Sequence, residues 1–273
     1  MLDATIGTLV TYNPKSVGPK TTLAQLQETM EQLQVRHMPV IDDEHRVIGM
    51  VSERDVARML YQAATKSAEA PVAAETIRAE KMMVRHVTMI EHFQSPEIAL
   101  RAMVEHGFHS VPVTESGRLV GMITSTDFLR ELSFGEWVGH DEPVRRWMSS
   151  PGRSVESETP LGQVAEITEQ FNQEFAVVVR RYRPMGILSR TALRMCLYGG
   201  GDANEISEMR AAPVRMLVSS LPELTAEMSL SQAATLMLEH RAQALAVVER
   251  TRMLLGLLQE DDILRAMLQR LTA

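Results

Sequence analysis

Short apolar runs separated by polar or glycine-bearing turns recur along the chain, and each second run leads into a polar helix start. MPVI and VIGMV flank Asp42-Asp43-Glu44-His45, while VPV and LVGMIT flank Thr114 to Arg118. AVVV and MGIL enclose Arg180-Arg181-Tyr182-Arg183-Pro184, and LAVV and LLGLL enclose Glu249 to Met253. Two apolar runs around a turn-forming cluster predict a β-hairpin. The second runs carry Gly49, Gly121, Gly186 and Gly256, about 70 residues apart, so the pattern is an internal repeat of four units.

Each unit also predicts a helix before its hairpin. Thr22, Ser95, Thr159 and Ser229 stand where a hydroxyl can cap a helix, and Pro96 and Pro160 follow two of them at the favoured first helical position. In the first unit Leu23, Leu26, Met30 and Leu33 form one apolar stripe, which needs a sheet to cover. A short strand, such as Ser16-Val17 or Val87-Thr88-Met89, is expected before each first helix. The predicted order is strand, helix, strand, strand, helix, an α/β fold. The connectors vary more than the units. Tyr61 to Arg78 reads as partly helical with a break at Pro71. Arg130 to Trp147 reads as a helical connector broken at Gly135, Gly139 and Pro143. Leu197 to Ala212 reads as a flexible passage through Gly199-Gly200-Gly201-Asp202.

At 273 residues and 45% hydrophobic content the chain can bury a substantial core. Its net charge of -7 disfavours nucleic acid and membrane surfaces as general partners, because polyanions are held by surplus Lys and Arg. No stretch approaches a membrane span, and MLDATIGTLV has neither the basic start nor the apolar run of a leader, so the expected compartment is the cytoplasm. The single cysteine, Cys196, has no companion for a disulfide or a zinc-type ligand set and reads as a small apolar helix residue.

The most specific signal is a glycine followed three and six residues later by Ser or Thr and by Asp. The first unit carries Pro39-Val40, Gly49, Ser52 and Asp55, and the second Pro112-Val113, Gly121, Thr124 and Asp127. The third has Gly186, Ser189 and Ala192, the fourth Gly256, Gln259 and Asp262, and both lack the proline before the hairpin. In order, spacing and motif the chain resembles the CBS (cystathionine β-synthase) domain family. The resemblance implies four tandem copies paired into two Bateman modules. Residues 1–135 would hold copies at about 8–62 and 79–133, and residues 136–273 copies at about 144–197 and 212–270. It also implies clefts for adenosine-containing ligands. By position, Asp55 and Asp127 would take the ribose hydroxyls and Ser52 and Thr124 a phosphate. Arg36, His37, His109 and Ser110 would face the phosphates, and the strands at Val17 and Thr88 would meet adenine. Ala192 cannot accept a ribose hydroxyl, so at most one site, at Asp262, is expected in the second half, which would otherwise scaffold or dimerise.

Residue chemistry supports the ligand reading independently: an ionised Asp accepts two hydrogen bonds from a vicinal diol, and a hydroxyl with helix N-terminal amides suits a phosphate. Ser52-x-x-Asp55 and Thr124-x-x-Asp127 equally fit capping boxes, although Asp is shorter than the usual Glu or Gln. Their repetition in the hairpin context favours the ligand, and a cap can exchange partners when a nucleotide arrives. His106-x-x-His109 lacks further metal ligands and reads as a helix end entering the cleft. Arg180 to Arg183 reads as a solvated turn, and the 19 methionines as adaptable packing. No nucleophile elbow, phosphate-binding loop or metalloprotease pair is present. The expected function is therefore non-catalytic: a sensor of AMP, ADP or ATP, with S-adenosylmethionine also admitted and no cofactor required, signalling across a homodimer or to an unidentified protein target. The alternative is a structural or oligomerisation module without a physiological nucleotide.

Overall fold

The computed structural model describes residues 9–66, 76–134, 137, 140–200, 202–220 and 222–272. Within them the hairpin-and-helix unit occurs four times. The first has β1 (Thr11–Tyr12), α1 (Leu23–Leu33), β2 (His37–Ile41), β3 (Val47–Ser52) and α2 (Glu53–Lys66). After the short α3 (Ala79–Met82) come β4 (Ile90–Glu91), α4 (Pro96–His106), β5 (Ser110–Glu115), β6 (Arg118–Thr124) and α5 (Ser125–Ser133). The third unit has β7 (Val155–Glu156), α6 (Leu161–Gln170), β8 (Phe175–Arg180), β9 (Arg183–Ser189) and α7 (Arg190–Tyr198). Beyond α8 (Ala203–Ala211), the fourth has β10 (Leu224–Thr225), α9 (Leu230–His240), β11 (Ala244–Val248), β12 (Leu254–Gln259) and α10 (Glu260–Thr272). The α/β class and the repeated element order are those read from the sequence.

Local chemistry explains most boundaries. The hydroxyls of Thr22, Ser95 and Ser229 accept the amides of Gln25, Glu97 and Gln232, capping α1, α4 and α9. The third unit departs from the expectation: Pro160, not Thr159, stands at the boundary of α6, and the Leu161 amide goes to the Ala212 carbonyl at 2.9 Å. The stripe of α1 buries Leu23, Leu26 and Met30 but leaves Leu33 exposed. The strand before α4 is Ile90–Glu91 instead of Val87 to Met89, and Val17 makes only an isolated parallel bridge to Val40. The third connector, expected to be flexible, contains α8, because Asp202 and Glu205 close a capping box at its start. Pro143 is followed by a single 3-10 turn at Val144–Arg146. Pro71, Gly135, Gly139 and Gly201 lie outside the described residues. No described helix is long and apolar enough to cross a membrane.

The units trade segments in pairs. Thr11–Tyr12, from the first unit, joins β6 of the second, while Val84, from the approach to the second, exchanges two backbone hydrogen bonds with Met50 of β3, at 2.9 and 3.0 Å. The other pair repeats the device: Ser149 exchanges two bonds with Leu257 of β12, at 2.8 and 3.0 Å, and Val218–Ser219 crosses Gly186 of β9. This close crossing explains the four repeated glycines. A Cβ on Gly121 would come within 2.2 Å of Val10 Cγ1, one on Gly186 within 2.7 Å of the Ser219 carbonyl oxygen, and one on Gly256 within 2.9 Å of the Ser149 carbonyl oxygen. Hairpin tips repeat the pairing, with Leu119 donating to the His45 carbonyl at 3.0 Å and Leu254 to that of Tyr182 at 3.1 Å.

Helices then close the four units into a ring within one chain. α2 packs on α7, joining the first unit to the third, and α5 and α4 pack on α9 and α10, joining the second to the fourth. The second and fourth units share one apolar core, including Phe128, Leu129, Met237, Ile263 and Met267. A smaller cluster around Val177, Val179, Ala244 and Ala246 joins the third and fourth.

Candidate functional site

A cleft opens between the first and second units where their hairpin entries face each other. Its walls include Arg36, His37, Ser52, Glu53, Arg54 and Asp55 from one unit, and Thr88, Phe108, His109 and Ser110 from the other. Glu174 and Thr191 of the third unit and Gln243 of the fourth also line it. The cavity volume is about 140 Å³, and about 840 Å³ with the adjoining open space included. The lining is apolar at Met50, Val84 and Val87 and charged at Arg36, Glu53, Arg54, Asp55 and Glu174.

The repeat places this chemistry by register. In every unit the residue entering the hairpin accepts a backbone hydrogen bond from the residue four places after the glycine: Glu53 to Arg36 at 2.8 Å, Ser125 to His109 at 2.9 Å, Arg190 to Glu174 at 2.7 Å, and Glu260 to Gln243 at 2.9 Å. Each unit therefore presents one side chain from each position toward the hub of the ring. Counting from the glycines would have found Glu53, Ser125, Arg190 and Glu260. Sequence reasoning stopped at the third and sixth positions because those carry the family motif.

Asp55 and Asp127 occupy matching places at their helix starts. Asp55 Oδ2 accepts the Ser52 amide at 3.0 Å and its hydroxyl at 2.6 Å, and Oδ1 accepts Arg58 at 2.6 Å. Asp127 Oδ2 accepts the Thr124 amide at 2.8 Å and its hydroxyl at 2.6 Å, and Oδ1 accepts Arg130 at 2.9 Å. Both capping boxes are closed. Each carboxylate still has unused lone pairs, and Arg58 and Arg130 are half exposed, so their ion pairs can be released at little cost.

Among the sequence-derived candidates, Arg36, His37, Ser52, Asp55, Thr88, His109 and Ser110 converge on this cleft. Thr124 and Asp127 lie at the start of α5, outside it. Val17 sits against the first unit's core through its bridge to Val40. Asp262 is buried at the start of α10, where it accepts the Gln259 amide at 2.8 Å and pairs with Arg265. Burial pushes its pKa up.

Behind the cleft lies a network joining three units. The Arg36 guanidinium straddles the Glu260 carboxylate, with Nη1 to Oε2 and Nη2 to Oε1 both at 3.2 Å, and the Ser125 hydroxyl donates to Glu260 Oε2 at 3.1 Å. His109 Nδ1 is buried without a hydrogen bond in good geometry; Glu260 Oε2 lies 3.5 Å away. Burial raises the Glu260 pKa, but the close approach of His109 and the Arg36 charge outweigh it, and the net shift is downward. Arg54 and Arg190 both pair with Glu174, at 3.7 and 3.0 Å. Burial raises the Glu53 pKa against the pull of Arg36.

His37 is lowered to about 3, first by burial and then by the charges of Arg36, His109 and Arg54. Its folded pKa thus lies below the unfolded value of 6.5, so the folded chain binds fewer protons than the unfolded chain between those limits and loses stability as pH falls through that window. His37→Gln removes this dependence. Between pH 7 and pH 5 the wild type is expected to lose about 2 kcal/mol more than the variant, read from urea unfolding of both proteins; equal losses would show that His37 is not held neutral.

Three segments, residues 6–62, 79–134 and 214–269, match the model of the CBS domain. The third unit, Val155 to Tyr198, has the same element order but lies outside those segments. An uncharacterised protein of Methanocaldococcus jannaschii, MJ1225, is 32% identical over 117 residues, which cover 42% of this chain and 38% of that protein. A Thermofilum pendens protein encoded in a ribosomal RNA operon is 23% identical over 188 residues, covering 65% of this chain and 59% of its own length. The crystal structure of MJ1225, which has been proposed as an archaeal homologue of g-AMPK, superposes with a TM-score of 0.80 at 19% identity, covering 96% of this chain and 99% of that one. An uncharacterised conserved protein of Pyrococcus horikoshii superposes with a TM-score of 0.66 at 20% identity, covering 95% and 98%.

Proposed function

This chain belongs to the CBS domain family, and from that premise we propose that it is a non-catalytic regulatory protein that binds an adenosine-containing ligand between its first and second units. The four units are grouped as two modules, residues 1–135 and 136–273, the third unit being a divergent copy. The observation that carries the reading is the convergence of Ser52, Asp55, Thr88, His109 and Ser110 on one cleft lined by both apolar and charged side chains. Asp55 would exchange Arg58 for the ribose diol, the apolar side chains of Met50, Val84 and Val87 would hold the base, and the ligand's polar end would point toward Arg36 and His37. AMP, ADP, ATP and S-adenosylmethionine are the ligands to test. The signal would pass to a second copy or to a protein target as a change in angle between the first two units, limited by the ligand's differential affinity for the two arrangements.

The C-terminal half reads as scaffold: Ala192 replaces the aspartate in the third unit, and Asp262 is already buried with Arg265. The closed capping boxes at Asp55 and Asp127 favour the alternative, an oligomerisation module without a physiological nucleotide.

A thermal-shift and calorimetric panel of the four ligands separates them. A ligand at a hundred times its Kd stabilises the fold by about 2.7 kcal/mol, and Asp55→Ala is expected to weaken binding tenfold or more, since hydrogen bonds to a charged acceptor are lost. No stabilisation by any ligand would leave the oligomerisation reading, whereas binding unchanged in Asp55→Ala would remove this cleft as the site.

A further inference from the structure

Glu260 stands out because it meets the cleft's most suitable anion-binding group from the far side of the ring. Its carboxylate is 6% exposed and forks onto both terminal nitrogens of Arg36, which belongs to the first unit. The Ser125 hydroxyl holds one of its oxygens, and that same oxygen is the nearest group to the buried His109 Nδ1. Arg36 and His109 also line the cleft, where a phosphate or carboxylate on a ligand would seek them. Glu260 thus already supplies the hub with the anion that these two groups would otherwise take from a ligand.

We propose that Glu260 is a specificity-determining residue that makes the cleft select adenosyl ligands by charge, favouring neutral, zwitterionic or singly charged ones over polyphosphates. This deepens the reading of the cleft as an adenosyl site and rests on it. The remaining charges agree. Besides Arg36, the lining contributes the cation Arg54, already paired with Glu174, and the carboxylates Glu53 and Asp55. A ligand with several negative charges meets two committed arginines and three carboxylates. To take both terminal nitrogens of Arg36 it must break the fork, leaving Glu260 buried with Ser125 and His109 as its remaining neighbours, and an uncompensated buried charge is costly. The adenosine end carries no such penalty, because its hydroxyls and base are uncharged and make no demand on the Arg36 fork. Glu260 opens α10, so displacing it also perturbs the contact of the fourth unit with the first.

The test is calorimetric titration of the full chain with adenosine, AMP and ATP at constant ionic strength, on wild type and Glu260→Gln. The amide keeps the size of the side chain and its place beside Ser125 while removing the charge. AMP affinity is expected to rise at least tenfold relative to adenosine, and ATP affinity by more, with adenosine itself changing less than twofold. Ser125→Ala, which loosens Glu260 without altering any charge, should move the AMP-to-adenosine ratio the same way by a smaller factor, and it carries the test if Glu260→Gln does not fold. If adenosine and AMP both bind and their ratio stays within twofold in the folded variants, the role of Glu260 is overturned while the adenosyl cleft stands. If no adenosine derivative binds any of the proteins, both are overturned.

Discussion

Phe128→Ala is expected to destabilise the chain by about 4 kcal/mol, in the range of buried aromatic truncations, and to do so in two units at once. Phe128 projects from α5 with no exposed surface, and its ring meets Trp137 edge to face with centroids 6.2 Å apart. The surrounding core draws Leu129 and Leu132 from the second unit and Leu230, Met237, Ile263, Leu264 and Met267 from the fourth. The void left by the ring is therefore bordered by helices distant in sequence, and dispersion contacts are lost on both sides. Urea unfolding measures the total, and amide hydrogen exchange locates it. Exchange should accelerate in α9 and α10 as well as in α5. Acceleration confined to α5 would mean that the shared core does not couple the two units, and ring closure would then be a loose association.

Gly186→Ala should cost about 3 kcal/mol and Gly49→Ala about 1, although both glycines sit in the second strand of their hairpins. A Cβ at Gly186 would lie 2.7 Å from the Ser219 carbonyl oxygen and 2.9 Å from Val218 Cβ, neither of which can swing aside without moving backbone. At Gly49 the nearest atoms are Sδ and Cγ of Met83, the outer part of a flexible side chain that can adopt another rotamer. Chemical denaturation of the two variants reads the difference directly. Equal costs would indicate that the glycines serve strand conformation and not the passage of the crossing segment.

The fold class was legible because its signals are local. Apolar runs around polar turns fix the hairpins, and Thr22, Ser95 and Ser229 fix helix starts through bonds spanning two or three residues. Pro160 and α8 were misread where another interaction prevailed: the Leu161 amide was taken by the sequence-distant Ala212, and the local box of Asp202 with Glu205 outweighed the preceding glycines. The strand expected at Val87 to Met89 formed at Ile90–Glu91, where the register with β5 pairs Ile90 with Val113 and turns its side chain into the core. β-propensity alone does not choose between adjacent triplets.

The site was legible by halves. Ser52 and Asp55 sit at a fixed offset from Gly49, and their capping geometry follows from that offset. Arg36, His37 and His109 were placed at the cleft by the family resemblance, and they do line it. Glu174, Gln243 and Glu260 were missed: the register of each unit marks their positions, but nothing within their own units shows that ring closure carries Glu174 and Gln243 to the cleft and Glu260 onto Arg36.

The sequence by itself determined the unit: four repeats of one element order, a glycine at the same place in each, and an aspartate retained six residues later in all but the third. Those properties depend on interactions within a few residues or across one hairpin. Only the tertiary structure decided that Thr11–Tyr12 and Val84 would cross between the first two sheets, which is why the glycines recur. It likewise decided that the ring closes within one chain and brings Glu260 onto Arg36. Those partners lie more than 200 residues apart, and what joins them is the packing of apolar helix faces, which is indifferent to the charges it carries to the hub.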